Sequence, residues 1–303
     1  MAMTLHVLGC YAATPRAQTR PSAQVLETGG QLFLIDCGEG TQLELRRHKI
    51  RFSRIEHVFI SHLHGDHFFG LPGLLATFQL LGREKPLHIY APKGLREAIT
   101  LLLKLGDTWT QYPLYFHELT SKEPQSILEI NGIQISTLPL DHRIYTNGFL
   151  FRELPGPRRL KADVVQSFGI DKAYFRKIKA GADGIAANGQ VIANALLTEP
   201  PEPGVSYAYC SDTSYKPELA KWISGVHTLY HESTFRTDAL DLAKKTGHST
   251  AAQAASIASA AGVKSLILGH YSTRYKDLNE FKMEAEAIFP NVLLADDGKV
   301  FSW

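Results

Sequence analysis

Short apolar runs broken by turn residues fill the first third of the chain. Leu5–Gly9, Ala23–Glu27 and Gln31–Asp36 read as strands, and the Gly29-Gly30 pair between the last two predicts a hairpin. Thr41–His48 has helical spacing, His57–Ser61 is a buried-strand run, and Phe69–Leu81 returns to the helical period. Leu87–Ala91 predicts a strand and Lys93–Leu105 an amphipathic helix. Phe116–Leu119, Ser126–Ile130 and Ile133–Leu138 predict three antiparallel strands. From Glu153 to Pro203 the periodicity fades among prolines (155, 157, 200, 201 and 203) and then resumes. Ser206–Ser211, Thr228–His231, Ser265–Gly269, Val292–Ala295 and Val300–Trp303 read as strands, with the alanine-rich Thr250–Ala261 as a helix. Similar halves on either side of the interruption predict a sheet-on-sheet sandwich flanked by helices.

Composition narrows the class. The 303 residues are 44% hydrophobic and 20% charged, enough for a large core that needs no disulfides. No apolar run approaches the roughly 18 residues of a membrane span, and MAMTLHVLG lacks the basic start of a secretory leader. Cys10, Cys37 and Cys210 are scattered without a CxxC, which fits a reducing cytoplasm. The net charge of +2 says little about nucleic acid, so its distribution matters more. Between residues 152 and 179 stand Arg152, Arg158, Arg159, Lys161, Lys172, Arg176, Lys177 and Lys179, opposed only by Glu153, Asp163 and Asp171. Such a long interruption is usually functional or disordered. On charge alone it is either a solvated insertion or a grip for a polyanion.

The candidate chemistry begins at Ser61-His62-Leu63-His64-Gly65-Asp66-His67, directly after a strand. In extended backbone His62 and His64 share a side, and a turn at Gly65 swings Asp66 and His67 towards a common point. Imidazoles and carboxylates are ligands for zinc, with manganese or iron as lesser options. His142, Asp212 and His270 each follow an apolar run, at strand ends where loops gather into sites. One ion cannot use all seven residues. Two ions bridged by a carboxylate can.

These residues resemble the metallo-β-lactamase fold in its dinuclear zinc branch, and more narrowly the ribonuclease Z family of tRNA 3′-processing endonucleases. The resemblance is carried by LIDCGEGTQLELRRH at 34–48, FISHLHGDHFFGLPGLL at 59–75, SDT at 211–213, HESTF at 231–235, GHST at 247–250 and LILGHYSTRY at 266–275. It implies an α/β (α+β) fold: one four-layer αββα domain over residues 1–303, with a flexible basic arm inserted at about 153–203. It further implies two zinc ions per subunit, or manganese or another divalent metal. His62, His64 and His142 would hold one, Asp66, His67 and His270 the other, and Asp212 would bridge them. Asp36 is either an anchor that orients the ligand loop or a plain strand-end turn residue. The histidines at 6, 48, 57, 88, 117 and 227 read as ordinary surface or packing residues.

The family's chemistry implies a metal-activated water that attacks the phosphodiester, with Asp66 taking its proton. His248, oriented by Glu232, would protonate the leaving 3′-oxygen; otherwise His248 is a helix-entry residue beside Ser249 or Thr250 as N-cap. Arg158, Arg159, Lys161, Lys172, Arg176, Lys177 and Lys179 would grip precursor tRNA by its phosphates, with no membrane involved. A homodimer in the cytoplasm is implied as well. Two stretches depart from the family pattern: GIDKAYFRKIKAG at 169–181 has no Gly-Pro pair, and Pro15-Arg16-Ala17-Gln18-Thr19-Arg20-Pro21 alters the spacing of a basic N-terminal loop. Competing functions are a phosphodiesterase of the same fold for small or cyclic nucleotides, a thioester hydrolase or lactonase, and a noncatalytic RNA-binding protein.

Overall fold

The computed structural model describes residues 2–14, 16–201 and 204–303; Pro15 and Pro203, used above, lie outside these. The chain divides into two compact units, residues 1–152 with 205–303, and residues 153–204.

The larger unit is built on two mixed seven-stranded sheets. Across the first sheet the order is Val300–Ser302, Thr4–Gly9, Ala23–Thr28, Gln31–Ile35, Ile55–Phe59, Leu87–Pro92 and Leu114–Leu119. Across the second it is Val292–Leu294, Ser265–Gly269, Thr228–Glu232, Ser206–Cys210, Asn147–Glu153, Ile133–Pro139 and Ser126–Ile130. Each sheet carries a run of parallel strands, so their C-terminal ends gather along one edge. Asp36, Ser211 and His270 follow such ends directly, and Ser61 follows one residue later.

Between the sheets lies an aromatic core of alternate strand positions. Phe59 is fully buried, with ring centroids 5.3 Å from Phe149, 5.5 Å from Phe151 and 6.1 Å from Phe33. Helices Thr41–Arg47, Leu71–Leu80 and Leu95–Leu105 bury Leu45, Leu74, Phe78 and Ile99 against the other face of the first sheet. Helix Ala251–Ala261 packs Ala254, Ala255 and Ala258 with the second sheet, where small side chains permit close approach. Thr250 starts that helix through a capping box with Gln253. Helix, sheet, sheet and helix make the expected metallo-β-lactamase sandwich.

Three local expectations change. Leu114–Leu119 runs parallel to Leu87–Pro92, not antiparallel, because helix Leu95–Leu105 serves as a crossover connection. The helix expected over Phe69–Leu81 is present as Leu71–Leu80, and a separate short helix that the pattern did not predict, Gly65–Phe68, precedes it. Gly70 stands at the break, where a Cβ would lie 2.0 Å from the Gly38 carbonyl oxygen, so only glycine fits. Strand Asn147–Glu153 has no counterpart in the pattern reading, since five of its seven residues are buried and alternation is lost.

The smaller unit has short helices Ala162–Ser167, Phe175–Lys179 and Asn194–Leu197, with a core of its own. Val165, Ile170, Ile178, Ala186, Ile192 and Leu197 fill it. Such a core is spread too thinly along the chain to register as a period. No helix among the described residues is long and apolar enough to cross a membrane.

Phe59 carries the first structural prediction. Phe59→Ala leaves a cavity between the sheets and lowers the free energy of unfolding by about 3–5 kcal/mol in urea denaturation; a loss under about 1 kcal/mol contradicts this placement.

Candidate metal centre

Asp36 organises the site from below. It ends its strand with φ +56°, a left-handed conformation that Asp tolerates better than most residues. Its buried carboxylate accepts four bonds: the Ser61 amide at 2.7 Å, Ser61 Oγ at 2.9 Å, His67 Nδ1 at 2.7 Å and Tyr209 Oη at 2.7 Å. The DCGEG turn also docks on the ligand loop through backbone, Cys37 N to His67 O at 2.8 Å and Gly70 N to Cys37 O at 2.9 Å.

Outer partners of this kind assign the histidine tautomers. His67 spends its Nδ1 proton on Asp36, and His62 donates from Nδ1 to Ser61 Oγ at 3.0 Å. His142 donates from Nδ1 to the Gly247 carbonyl at 2.7 Å, and His270 from Nδ1 to Thr234 Oγ1 at 2.9 Å. All four therefore keep an Nε2 lone pair for the centre. His64 joins them through Nδ1, 3.0 Å from His62 Nε2 and 3.3 Å from His142 Nε2. The Nε2 atoms of His67 and His270 are buried with no hydrogen-bond partner.

The seven expected ligand residues thus come together in two sets. His62, His64, His142 and Asp212 form one, and Asp66, His67 and His270 the other. Asp212 reaches both. Its Oδ2 lies 3.6 Å from His62 Nε2, while Oδ1 lies 3.5 Å from His67 Nε2 and 3.2 Å from His270 Nε2. Asp66 Oδ2 stands 3.5 Å and 3.6 Å from the same two nitrogens. Ligands about 2.0–2.1 Å from a tetrahedral zinc lie roughly 3.3 Å from one another. The observed spacings bracket that value, so the donor set fits an ion in each half.

Electrostatics favour neutral imidazole at three of the ligand positions and ionised carboxyls at two. Burial, helped by neighbouring imidazoles, holds His62 well below the usual histidine range, and burial lowers His64 and His142 too. Neutral imidazole is the form that binds metal. Burial opposes the charge of Asp66 and Asp212, yet His67 and His270 outweigh it and hold both carboxyls below the ordinary range. The same carboxylates, with Asp36, raise His67 despite its burial. A pocket of ionised carboxylates this well buried calls for cationic charge.

Glu232 does for the second sheet what Asp36 does for the first. Fully buried, it accepts Thr213 N at 3.0 Å, Thr234 N at 2.9 Å, Thr234 Oγ1 at 2.7 Å and His248 Nδ1 at 2.8 Å. Burial disfavours a charged His248, but Glu232 prevails and pushes it up to about 9. The expected His248–Glu232 pairing is present, with the His248 ring 5.1 Å from that of His142 and 5.5 Å from that of His270. Thr250, not Ser249, caps the following helix; Ser249 Oγ donates to Thr213 O at 2.7 Å.

Sequence reasoning missed the supporting cast. Ser61, Thr234, Tyr209 and Gly247 each touch a site residue, and only their places inside or beside the motifs marked them. Gly247 has φ +73°, and a Cβ there would lie 3.0 Å from His142 Nδ1. Arg143 is exposed, has no ion-pair partner among the described residues, and lowers both His64 and His248 by its charge.

Of the basic residues in the smaller unit, Arg158 donates to Thr198 Oγ1 at 2.7 Å and Arg159 pairs with Glu199 at 2.8 Å. Arg158, Lys172, Arg176 and Lys179 line one cavity of about 830 Å³ with Phe175, Pro155 and Pro157. Lys177 lies with its ammonium 6.0 Å from the Tyr174 ring. Lys161 caps helix Ala162–Ser167, its carbonyl accepting Val165 N at 2.9 Å.

Comparison with known proteins places these features in context. The chain is 46% identical over 298 residues to a ribonuclease Z of Bacteroides fragilis, covering 98% of each. It is 47% identical over 291 residues to a ribonuclease Z of Bacteroides thetaiotaomicron, covering 96% of this chain and 92% of that one. Among solved structures, the short form of human tRNase Z matches with a TM-score of 0.71 and 27% identity over 98% of both chains. The family model described as Anti-Pycsar protein Apyc1 matches residues 3–160. That stretch includes His62 to His142 but stops short of Asp212, Glu232, His248 and His270.

Tyr209→Phe tests the Asp36 hub. Removing one donor to a buried carboxylate destabilises the metal-free protein by about 1.5–3 kcal/mol in denaturant unfolding; no change contradicts the hub's structural weight.

Proposed function

The chain belongs to the ribonuclease Z family, its N-terminal half fitting the Apyc1 family model as well, and from that premise we propose how its residues process tRNA 3′ ends. It is a metal-dependent endoribonuclease. Its substrate is precursor tRNA, from which it removes the 3′ trailer to leave a 3′-hydroxyl on the tRNA. The observation that carries this reading is the division of Asp212, one oxygen towards each of two donor sets.

We assign one divalent cation to His62, His64 and His142 and another to Asp66, His67 and His270, with Asp212 shared. Neutral imidazoles with carboxylates suit zinc best and manganese next. When bound, the cations neutralise phosphodiester charge and acidify water. Asp66 accepts the proton of the attacking water. Glu232 keeps His248 an imidazolium, whose Nδ1–H stays hydrogen-bonded to the carboxylate while the Nε2 proton goes to the leaving 3′-oxygen.

The unit at 153–204 is read as the arm that grips the tRNA. Lys172, Arg176, Lys177 and Lys179 support that role, since none has an ion-pair partner among the described residues. The homodimer is proposed to form through the exposed leucines of the crossover helix, Leu101, Leu102 and Leu105, with Trp109 after it. Three buried, unpaired cysteines fit the cytoplasm as its location.

Two experiments test the division of labour. His248→Asn lowers precursor-tRNA cleavage by about 10²–10⁴-fold. It largely spares bis(p-nitrophenyl) phosphate, whose nitrophenolate leaves without a proton; equal losses on both substrates contradict the proton-donor role. Replacing Lys172, Arg176, Lys177 and Lys179 together by Ala weakens tRNA binding and makes its logarithmic salt dependence shallower by up to about 3–4. Hydrolysis of the small diester survives in that variant; its collapse would show the arm to be a folding element, and cleavage confined to small nucleotides in the unaltered chain would favour the competing small-nucleotide phosphodiesterase reading.

A further inference from the structure

Asp297 lies in the turn between strands Val292–Leu294 and Val300–Ser302, which belong to different sheets. Its Oδ1 accepts the Cys10 amide at 3.2 Å and its Oδ2 the Arg20 amide at 2.7 Å. One side chain therefore holds both ends of the loop that leaves the first sheet after Gly9 and returns at Ala23. The loop is closed by Tyr11 N donating to Arg20 O at 3.1 Å. Asp296 beside it accepts from Tyr11 Oη at 2.8 Å.

The peptide that Asp297 holds also reaches the metal centre. The Cys10 carbonyl accepts the His270 amide at 2.7 Å and the Tyr271 amide at 3.3 Å, and Ala12 N donates to Tyr271 O at 3.0 Å. His270 has φ +58°, a left-handed conformation that is costly for an L-residue with a bulky side chain. Such a conformation persists only where its surroundings over-determine it. Here the Cys10 carbonyl supplies the restraint on one side of the residue, and Thr234 Oγ1 the restraint on its ring. Asp297 itself has no ion-pair partner among the described residues. Burial, opposed by the Arg20 amide and reinforced by Asp296, pushes its carboxyl up to about 7. A carboxylate kept partly from water without a cation is costly, and what it gains here is the two amides and the Cys10 thiol, whose Sγ donates to Oδ1 at 3.8 Å.

We propose that Asp297 is a positioning residue for the metal centre: through the Cys10 peptide it fixes the backbone of His270 and thereby the direction of the His270 Nε2. The proposal rests on the reading of His270 as metal-binding. It accounts for an acid far from the donor sets in sequence, in no motif that marks the centre. It also couples the N-terminal loop and the C-terminal turn to a single imidazole.

The test is Co2+ titration of the metal-stripped chain with chelator competition, followed by visible absorption, with circular dichroism and urea unfolding alongside. The unaltered chain is expected to take up two ions. Asp297→Asn, whose one carbonyl oxygen can hold only one of the amides well, keeps the fold and weakens one binding step about 10–100-fold. Asp297→Ala weakens that step at least as much, and the other step stays within a few-fold of the unaltered chain. Asp296→Asn, which retains the bond from Tyr11, leaves both steps unchanged. Unchanged steps in both Asp297 variants, or equal weakening of both steps, overturn the proposal and leave the centre standing. An unaltered chain that binds no ion overturns the reading of the centre instead. Failure of both Asp297 variants to fold also overturns the proposal, because Asp297 would then support the fold rather than aim His270.

Discussion

A buried carboxylate must be fully hydrogen-bonded or it is too costly to keep, and Asp36 meets that demand with donors from both sheets. Ser61 and His67 come from the loop after Ile55–Phe59, and Tyr209 from strand Ser206–Cys210. The bonds fix where that loop leaves its strand and which nitrogen of His67 faces inward. With Ser61 Oγ spent on Asp36, the same hydroxyl can only accept from His62, which turns the His62 Nε2 inward as well. Two ligand directions thus follow from one acid.

Glu232 repeats the arrangement on the second sheet, again with four donors, and through Thr234 Oγ1 it orients His270. Asp36 and Glu232 are outer carboxylates that orient imidazoles; Asp66 and Asp212 are inner ones whose oxygens face the imidazole nitrogens. This division explains why so many acids can share one pocket. The outer pair are satisfied by hydrogen bonds, and the inner pair are the ones proposed to face cations. His248 falls between the two, held by an outer acid yet close enough to Asp212 and His270 to share a donor cluster with them.

Much of this was legible in the chain before any coordinates. His62, His64, Asp66 and His67 stand within a few residues of one another, and His142, Asp212 and His270 announce themselves by following apolar runs. The sandwich followed from two stretches of strand and helix around a basic interruption. Long-range partners were illegible, because a hydrogen bond from Tyr209 to Asp36 or from Asp297 to Cys10 leaves no local pattern. The parallel direction of Leu114–Leu119 was misread because strand direction depends on the connection and not on the strand's own residues. The small core of residues 153–204 was missed because Val165, Ile178 and Leu197 meet across short turns with no repeating period.

The central claim is that two cations occupy two donor sets that share Asp212. Anomalous diffraction from crystals of the zinc-loaded protein, recorded on both sides of the zinc absorption edge, tests it most directly. Two peaks are expected, one among His62, His64 and His142 and one among Asp66, His67 and His270, with an Asp212 oxygen facing each. A single peak, or peaks away from these side chains, would contradict the account.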